Sequence, residues 1–521
     1  MLSSLQLASL GFAAKAITGP WPDAFPAKDL CSNCGLCKSE VGVVSVTEAC
    51  AFLGDGMSRA EQLEPAIHGR GREYDSGNLA EAHFGVHSTI SLARGIGVQG
   101  AQWTGVTTAV ATAWLEAGKV DAVVVAGSDE AASTGFGAPK PVLCRTPSEV
   151  LQGRRVKPSL CPSLEVLDEV RDDASIRRLL FCGVGCAVQA LRALNGANPE
   201  SALNLEAGGL YVLGTHCVDN SPTPQAARNF VSAIPGIGDE RADDVLAYEF
   251  MADFRVHARL REKGKAGGGG DGGVGASAAG EEESVVKQAY MTLPPSVGIP
   301  SIAPSCFSCF DYTNGLADLV VGYMGAPFDA DSDEMTSAAL MVTVRNERGQ
   351  AMLDEAIQRG RVQILKDGGH GGRDLPSTGD RGAITMKTVA ADSMVKSLLD
   401  ADFVAGDAGA PPLVANFLAK LIAKGLPTGL EFGRFSIDYH YLRNALFVEQ
   451  EMGEEQAERH VPAYARAIMD KYDAEMEELR TLKPKRGDGG GPIAHALAAV
   501  RRLLGVVDES EGAGGGPQSK A

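Results

Sequence analysis

The chain has 521 residues, which is enough for two or three domains around a sizeable buried core. Its formal net charge of −18 argues against general nucleic-acid binding, because a polyphosphate partner needs a basic surface. No apolar run is long enough to span a bilayer, so we expect no stable membrane insertion. Residues 1–22 contain no acidic side chain, and we therefore predict that residues 1–25 are disordered or the remnant of an organellar transit segment.

A tight turn near the start of the chain carries three cysteines with the spacing C-x2-C-x2-C. They are Cys31, Cys34 and Cys37, with Gly35 relaxing the backbone between them, and Cys50 follows. This spacing directs neighbouring thiols to adjacent corners of an iron–sulfur cube, while a more distant Cys supplies the fourth corner. A zinc site usually has two well-separated ligand pairs. The pattern therefore favours a cluster, with a zinc site or a disulfide as the alternatives.

Helix and strand patterns alternate through the middle of the chain. Residues 106–117 have a helical pattern, and residues 120–126 read as a fully buried strand. Two further strands, at 178–183 and 210–214, end in turns that contain Gly and Cys. We therefore predict a mixed α/β fold around an open, mostly parallel sheet, whose ligands bind at the carboxyl ends of the strands.

A second set of thiols comes from three places in the sequence. Cys186 and Cys217 follow two predicted strands, and Cys306 and Cys309 form a C-x2-C pair. Four thiols on Gly-bearing turns can close around a second cluster. The alternative is that Cys186 and Cys217 are small buried residues, as free Cys often is.

The turn before the first predicted helix is a candidate cofactor site. A turn rich in Gly and Thr that opens a helix presents free backbone N–H groups to phosphate or ring oxygens, although many such turns bind nothing. Basic side chains further along can meet a pyrophosphate. The predicted cofactor-binding residues are Gln102, Trp103, Thr104, Gly105, Thr107, Thr108, Arg145, Thr146 and Lys157.

Several segments resemble the beta-subunit family of coenzyme F420-reducing hydrogenases and dehydrogenases, which are iron–sulfur flavoproteins. The segments that carry this resemblance are 105–125, 145–147, 183–192 and 306–311. Within the family, further motifs are similar to plant and algal reductases of chlorophyll-type pigments, and together they cover roughly residues 26–475. These motifs are 50–59, 68–72, 100–105, 211–220, 303–314, 317–325, 344–349 and 429–440.

The resemblance implies FAD, two 4Fe-4S clusters, reduced ferredoxin as electron source and a location in the chloroplast stroma. The expected reaction replaces the hydroxyl of a 7-hydroxymethyl group on the chlorophyll macrocycle with hydrogen. Two alternatives are reduction of an 8-vinyl group and a non-catalytic relay subunit of a larger oxidoreductase. A homo-oligomer is left open. Loss of hydroxide needs a proton donor, for which we name His87, Asp311 and Tyr312 although no spacing selects them.

Composition and motifs divide the chain into segments. We predict an N-terminal iron–sulfur segment, then a flavin and iron–sulfur catalytic domain that contains a flexible Gly-rich insertion. A helical region and a low-complexity tail follow. The boundaries are 26–80 for the iron–sulfur segment, 81–350 for the catalytic domain, 263–284 for the insertion, 351–480 for the helical region and 481–521 for the tail.

Overall fold

The computed structural model describes residues 30–128, 138–262, 283–328, 335–400 and 403–481. The predicted N-terminal segment 1–25, residues 263–282 of the Gly-rich insertion and the tail beyond residue 481 lie outside this part of the chain. The strands are β1 (Thr89–Gly95), β2 (Ala122–Ser128), β3 (Pro139–Cys144), β4 (Leu179–Gly183), β5 (Leu210–Thr215), β6 (Val245–Met251), β7 (Arg255–Arg261), β8 (Glu283–Ala289), β9 (Leu319–Gly322), β10 (Leu340–Val344) and β11 (Val362–Lys366).

The helices surround the strands and dominate the C-terminal part. They are α1 (Glu40–Val43), α2 (Val46–Ala49), α3 (Arg59–His68), α4 (Ala80–Phe84), α5 (Val106–Glu116), α6 (Pro147–Val150), α7 (Leu167–Asp172), α8 (Gly185–Arg192), α9 (Leu194–Ala197), α10 (Pro199–Ala202), α11 (Pro224–Ser232), α12 (Gly238–Arg241), α13 (Pro295–Gly298), α14 (Pro304–Phe307), α15 (Glu347–Gln358), α16 (Gly382–Ala391), α17 (Ser393–Leu399), α18 (Pro412–Gly425), α19 (Leu430–Met452), α20 (Glu454–His460), α21 (Ala463–Met469) and α22 (Asp473–Thr481).

The main sheet has eight strands in the order β11-β1-β10-β9-β5-β4-β2-β3. Its centre is parallel, because β9, β5, β4 and β2 pair in parallel, and antiparallel strands flank it on both sides. Five of the eight strands, β1 among them, therefore point in one direction. The predicted α/β fold with an open, mostly parallel sheet is confirmed.

Apolar residues on both faces of the central strands bury the sheet between two helical layers. Val123 and Val125 of β2 pack in one core with α5 and α15, and Val124 packs in another core with α7 and α8. Successive side chains of a strand point to opposite faces, so a strand covered on both faces is a continuous apolar run. That is why the buried strand at 120–126 was recognisable from sequence.

The segment after α12 forms a second, smaller sheet with the order β6-β7-β8. Strand β6 ends at Met251, a turn follows, and β7 begins at Arg255. Phe254 in this turn has a φ of 63°, which reverses the chain into an antiparallel hairpin. Apolar residues continue on both sides of the turn, so the sequence shows no break in the pattern.

The described part of the predicted helical region, 351–480, is mostly helical from Gly382 onward. Strand β11 lies in that region and extends the main sheet beside β1. In helix α18, Ala415, Leu418 and Ile422 are buried in a core, so this face of the helix packs against the protein.

A buried ion pair joins the helical layer to the sheet. Arg192 of α8 donates a 2.9 Å bond to Asp318, and the two side chains are 4% and 1% exposed. The Asp318 carboxylate also accepts from Val212 N at 2.8 Å and from Asn346 Nδ2 at 2.8 Å. Asp318 therefore satisfies a buried cation and a strand N–H at once, which makes its removal costly.

We predict that Asp318→Ala lowers the free energy of unfolding by roughly 3–5 kcal/mol, because it leaves buried Arg192 without its counter-ion. The control is Glu449→Ala, which breaks the exposed pair Arg480–Glu449 and should cost at most about 1 kcal/mol. Urea unfolding followed by circular dichroism measures both. Equal losses in the two variants would contradict this role of Asp318.

Candidate active site

The cysteine turn at residues 31–37 is held against the segment that leads into α7. Cys34 O accepts from Leu164 N at 2.8 Å, and Lys38 pairs with Glu165 at 2.6 Å. Gly35 has a φ of 88°, and a Cβ at this position would lie 2.8 Å from Glu165 N. Only glycine suits this position, because the backbone is left-handed and the neighbouring chain approaches closely.

The first set of thiols comprises Cys31, Cys34, Cys37 and Cys50. Burial raises the pKa of Cys34 well above its usual value, and the nearby thiol of Cys50 raises it further. Burial also raises the pKa of Cys50 to about 11, with a smaller contribution from Cys31. These mutual effects place the four thiols together, and Cys31 and Cys37 are exposed at the surface.

The second set of thiols comprises Cys186, Cys217, Cys306 and Cys309. Cys186 lies at the start of α8 after β4, and Cys217 follows β5, so both lie at the carboxyl ends of parallel strands. Burial raises the pKa of Cys217, and the thiols of Cys306 and Cys186 raise it further. The structure thus brings together the four residues that the sequence placed in one set.

The two sets of thiols lie next to each other at Cys34 and Cys186. Cys186 contributes to the raised pKa of Cys34, and the Ser32 hydroxyl forms a hydrogen bond with the Cys186 thiol. Ser32 belongs to the N-terminal turn, so this contact joins the two sets across 154 positions of the chain. Cys34 and Cys186 therefore connect the first set of thiols, which is exposed at Cys31 and Cys37, to the second set.

Backbone and amide donors point at the sulfur atoms of both sets. Asn33 N lies 3.2 Å from Cys31 Sγ, Asn220 N lies 3.3 Å from Cys306 Sγ, and Asp311 N lies 3.5 Å from Cys309 Sγ. Asn220 Nδ2 also lies 3.7 Å from Cys217 Sγ. Such donors stabilise thiolates and tune iron–sulfur clusters.

A polar clamp from the C-terminal helices holds the turn that carries Cys306 and Cys309. The Asn444 amide donates to Cys306 O at 3.1 Å, to Cys309 O at 2.8 Å and to the Tyr312 hydroxyl at 2.7 Å. His460 Nε2 lies 2.7 Å from Ser308 O. The hydroxyls of Tyr441 and Tyr464 both donate to Phe310 O. All four clamp side chains are buried, so this turn is fixed by residues that follow it by more than 120 positions.

The eight thiols have the chemistry of cluster ligands. No group of three or more Cys, His, Asp or Glu side chains in the described ranges is arranged to hold a single metal ion. The ligands of a four-iron cluster bind different irons, so they surround the cluster and need not converge on one point. Two sets of four thiols with N–H donors aimed at sulfur fit such clusters.

A cavity of about 690 Å³ lies beside the second set of thiols. Cys34, Cys186 and Cys217 border it. Aromatic side chains from the small sheet and its β6–β7 turn, from the segment after β8 and from α19 also line it. These aromatic residues are Tyr248, Phe250, Phe254, Tyr290, Phe432, Phe435 and Tyr439. A largely apolar space next to redox-active thiols suits a planar, hydrophobic ligand.

Three of the predicted cofactor-binding residues border this cavity, namely Thr107 and Thr108 at the start of α5 and Lys157. Lys157 donates to the carbonyl oxygens of Gln152 at 3.3 Å and Arg155 at 3.2 Å, and also to that of Arg154. Its ammonium group is therefore held by the backbone beside the cavity.

The remaining predicted cofactor residues have other partners. The Gln102 amide donates to Glu249 Oε1 and accepts from Val156 N. The Trp103 ring stacks on the Tyr323 ring with a centroid distance of 4.8 Å. Thr104 Oγ1 accepts from Gly95 N at 3.2 Å. Gly105 has a φ of 80° and precedes α5. Together these four residues shape the wall behind Thr107 and Thr108.

Arg145 and Thr146 are not among the residues that border the cavity. Arg145 pairs with Asp173 at the surface, and Thr146 caps α6 in a capping box with Glu149. A capping box satisfies N–H groups of a helix end, so it needs no ligand. The expected basic contact with a pyrophosphate therefore finds no support at Arg145.

His216 is a site residue that the sequence analysis missed. It lies directly after β5, borders the cavity, and neither of its buried ring nitrogens has a hydrogen-bond partner. Burial lowers its pKa to about 3, and the charge of Arg345 contributes, so the ring is neutral. The ring lies against Gly322, where a Cβ would come within 2.1 Å of it. Unpaired buried nitrogens beside a cavity indicate a polar ligand edge.

The three proposed proton donors lie in different surroundings. His87 is buried outside the cavity, with Nδ1 2.7 Å from Gly85 O. Asp311 and Tyr312 border the cavity, but Asp311 Oδ1 accepts from Gly315 N at 2.7 Å, and the Tyr312 hydroxyl accepts from Asn444. Asp311 and Tyr312 support the turn that carries Cys309, while His87 has no contact that relates it to the cavity.

Among the described residues, no helix combines the length and the apolar character needed to cross a bilayer.

Family models for the coenzyme F420 hydrogenase/dehydrogenase beta subunit match the chain in two parts. The N-terminal model matches residues 95–168, and the C-terminal model matches residues 176–367.

Two relatives match this chain along most of its length. It is 43% identical over 461 residues to the chloroplastic 7-hydroxymethyl chlorophyll a reductase of Oryza sativa subsp. japonica, which is 88% of this chain and 86% of that protein. It is 37% identical to the uncharacterized protein all1601 of Nostoc sp. (strain PCC 7120), over 86% of this chain and 94% of that protein.

One solved structure describes a xenon derivative of the F420-reducing NiFe hydrogenase complex from Methanosarcina barkeri. It shares 20% identity and a TM-score of 0.41 with this chain, over 54% of this chain and 82% of that chain. The family assignment depends on the sequence matches instead. Because two family models and a relative with 43% identity cover it, the chain belongs to the coenzyme F420 hydrogenase/dehydrogenase beta-subunit family.

Proposed function

We propose that this chain is an oxidoreductase that reduces 7-hydroxymethyl chlorophyll a to chlorophyll a. The observation that carries the proposal is its 43% identity over 88% of the chain to the rice reductase of that name. The reaction takes up two electrons and two protons, converts –CH2OH to –CH3 and releases water. We also propose that the protein lies in the chloroplast stroma and takes electrons from reduced ferredoxin; the chloroplastic name of the rice reductase supports the chloroplast location.

The proposed cofactors are two 4Fe-4S clusters and FAD. Cys31, Cys34, Cys37 and Cys50 would hold one cluster, and the second set of thiols the other. When bound, the clusters carry single electrons and the flavin passes them on as a pair. The neutral ring of His216 offers one donor and one acceptor to a polar ring edge, and Thr107 and Thr108 border the same cavity.

The difference in solvent exposure between the two sets of thiols supports electron flow from the first set to the second. Cys31 and Cys37 are exposed, whereas the second set is partly buried and borders the cavity. A soluble electron carrier can therefore approach the first set, while the second set lies next to the pigment. The aromatic side chains that border the cavity favour binding of a hydrophobic macrocycle.

Our first prediction for this function concerns metal content. We expect about eight irons and about eight acid-labile sulfides per chain, because two four-iron clusters are held by two sets of thiols. Cys34→Ala or Cys309→Ala should each remove about half of both. Cys144→Ala is the control, since Cys144 is buried in β3 outside both sets. A preparation made without oxygen that contains zinc and no sulfide would contradict the cluster assignment.

The second prediction concerns the polar clamp. Asn444→Leu keeps the branched shape of the side chain but removes the amide that donates to two buried carbonyls and one hydroxyl. We expect the second cluster to lose iron to a chelator about 10- to 100-fold faster than in the wild type.

The matched control for the clamp is Asn416→Leu. Asn416 makes comparable amide bonds on α18 to Gln288 and Pro412, away from the thiol turns. Bleaching of visible absorption in the presence of chelator measures both variants. If the two variants lose iron at the same rate, the clamp does not act on the cluster.

The third prediction concerns substrate choice. The C7 and C8 substituents are neighbours on the macrocycle, and a displacement of about 1 Å can cost ~10²-fold in rate. With reduced ferredoxin held constant, we expect kcat/KM for the 7-hydroxymethyl pigment to exceed that for the 8-vinyl pigment by about 10²-fold. A ratio that favours the 8-vinyl pigment would overturn the substrate assignment. Absence of turnover without a further subunit would instead indicate a relay function.

A further inference from the structure

A carboxyl group borders the same cavity as the second set of thiols. It belongs to Glu249 of β6, which borders the cavity together with Tyr248 and Tyr323. Gln102 Nε2 donates to Glu249 Oε1 at 3.1 Å, and the Trp103 and Tyr323 side chains also form hydrogen bonds with this carboxyl. All three partners are neutral groups, so none of them compensates a negative charge on Glu249.

The surroundings keep Glu249 protonated near neutral pH. Burial raises its pKa to about 8, although the hydrogen bonds from Trp103, Tyr323 and Gln102 lower it in part. A carboxylic acid can then donate a proton in the pH range where the protein acts. Most carboxylates in proteins have lost their proton at this pH and cannot do so.

The position of the carboxyl is fixed by its neighbours. Gln102 is 2% exposed, and its Oε1 accepts from Val156 N at 2.8 Å, so the opposite end of the amide faces Glu249. Trp103 and Tyr323 stack with their rings 4.8 Å apart. The carboxyl is therefore held by an ordered group of side chains at the edge of the ligand space.

The elements around Glu249 carry several further titratable groups. On β7, His257 is opposite Glu249 in the strand register and pairs with Asp253 at 2.8 Å, and Arg259 lies two positions along. The phenols of Tyr248, Tyr290 and Tyr323 and the thiol of Cys217 also interact with the Glu249 charge. Burial raises the pKa of each of the three phenols, so they stay neutral over the range in which Glu249 titrates.

We infer that Glu249 is the group that donates the proton to the leaving hydroxyl of the pigment. This inference rests on the proposed function. The proton moves from the Glu249 carboxyl to the oxygen of –CH2OH, the C–O bond breaks, and water leaves. The carbon gains two electrons and one proton from a hydride donor of the reduced-flavin class. The Glu249 carboxylate is then reprotonated from solvent, which balances the reaction.

The test compares two leaving groups. In Glu249→Gln, the side chain keeps its shape and an oxygen acceptor but cannot donate an acidic proton. We expect turnover of the 7-hydroxymethyl pigment to fall by roughly 10² to 10⁴-fold. A 7-acetoxymethyl analogue releases acetate without prior protonation, so the same variant should reduce it at nearly the wild-type rate. A structural role would slow both substrates equally, and that result would overturn the inference.

The pH dependence of kcat/KM gives an independent test. The acid form of Glu249 is the active form, so kcat/KM of the wild type should fall as pH rises through about 8. In Glu249→Gln this basic limb should disappear. A variant that keeps both the limb and a wild-type rate would overturn the inference. Glu240→Gln, an exposed carboxyl on α12, is the matched control and should keep the wild-type profile.

Two further measurements separate the possible failures. Wild-type protein that does not reduce the 7-hydroxymethyl pigment refutes the proposed function, whereas active wild type with an unaffected Glu249→Gln variant refutes only the proton donor. Infrared titration of wild-type protein alone should show a carboxylic acid C=O band that is lost near pH 8. If this band is unchanged between pH 6 and 10, Glu249 does not titrate as proposed, even if the variant fails to fold.

Discussion

The short turn that carries Cys306 and Cys309 depends on hydrogen bonds from a distant part of the chain. Cys306 O accepts from Cys309 N at 3.2 Å, whereas the carbonyls of Ser308, Cys309 and Phe310 accept from side-chain donors. Asn444, Tyr441, His460 and Tyr464 supply those donors from three successive helices. Without this clamp, the burial of four polar carbonyls would oppose the position that the thiols need.

This dependence gives the C-terminal helices a role in the site as well as in the core. The family models end at residue 367, and the clamp begins at Tyr441. The α/β part contributes Cys186 and Cys217 at the ends of parallel strands, and the helices fix the pair Cys306–Cys309 opposite them. The second set of thiols therefore forms only when both parts of the chain are in contact.

Burial next to the thiols also determines the charge of the cavity wall. A low-dielectric space disfavours charged forms, so His216 is neutral and Glu249 keeps its proton near neutral pH. His216 directly follows β5 and Glu249 lies on β6, and these two strands belong to different sheets. An apolar cavity with a neutral imidazole and a carboxylic acid can bind a hydrophobic macrocycle and still deliver a proton to it, as the proposed reductase requires.

Local spacing in the sequence determined the features that depend on neighbouring residues. The C-x2-C-x2-C turn, its Gly35 and the strand at β2 follow from such short patterns, because thiol direction, left-handed backbone and strand burial are local properties. The division of the thiols into two sets was also readable, since the strand ends and the C-x2-C pair are visible in the sequence. Only the tertiary structure decided which polar groups face the cavity. Arg145 pairs with Asp173, while Asn444, His216 and Glu249 reach the site through contacts across long stretches of chain, and no local pattern records such contacts.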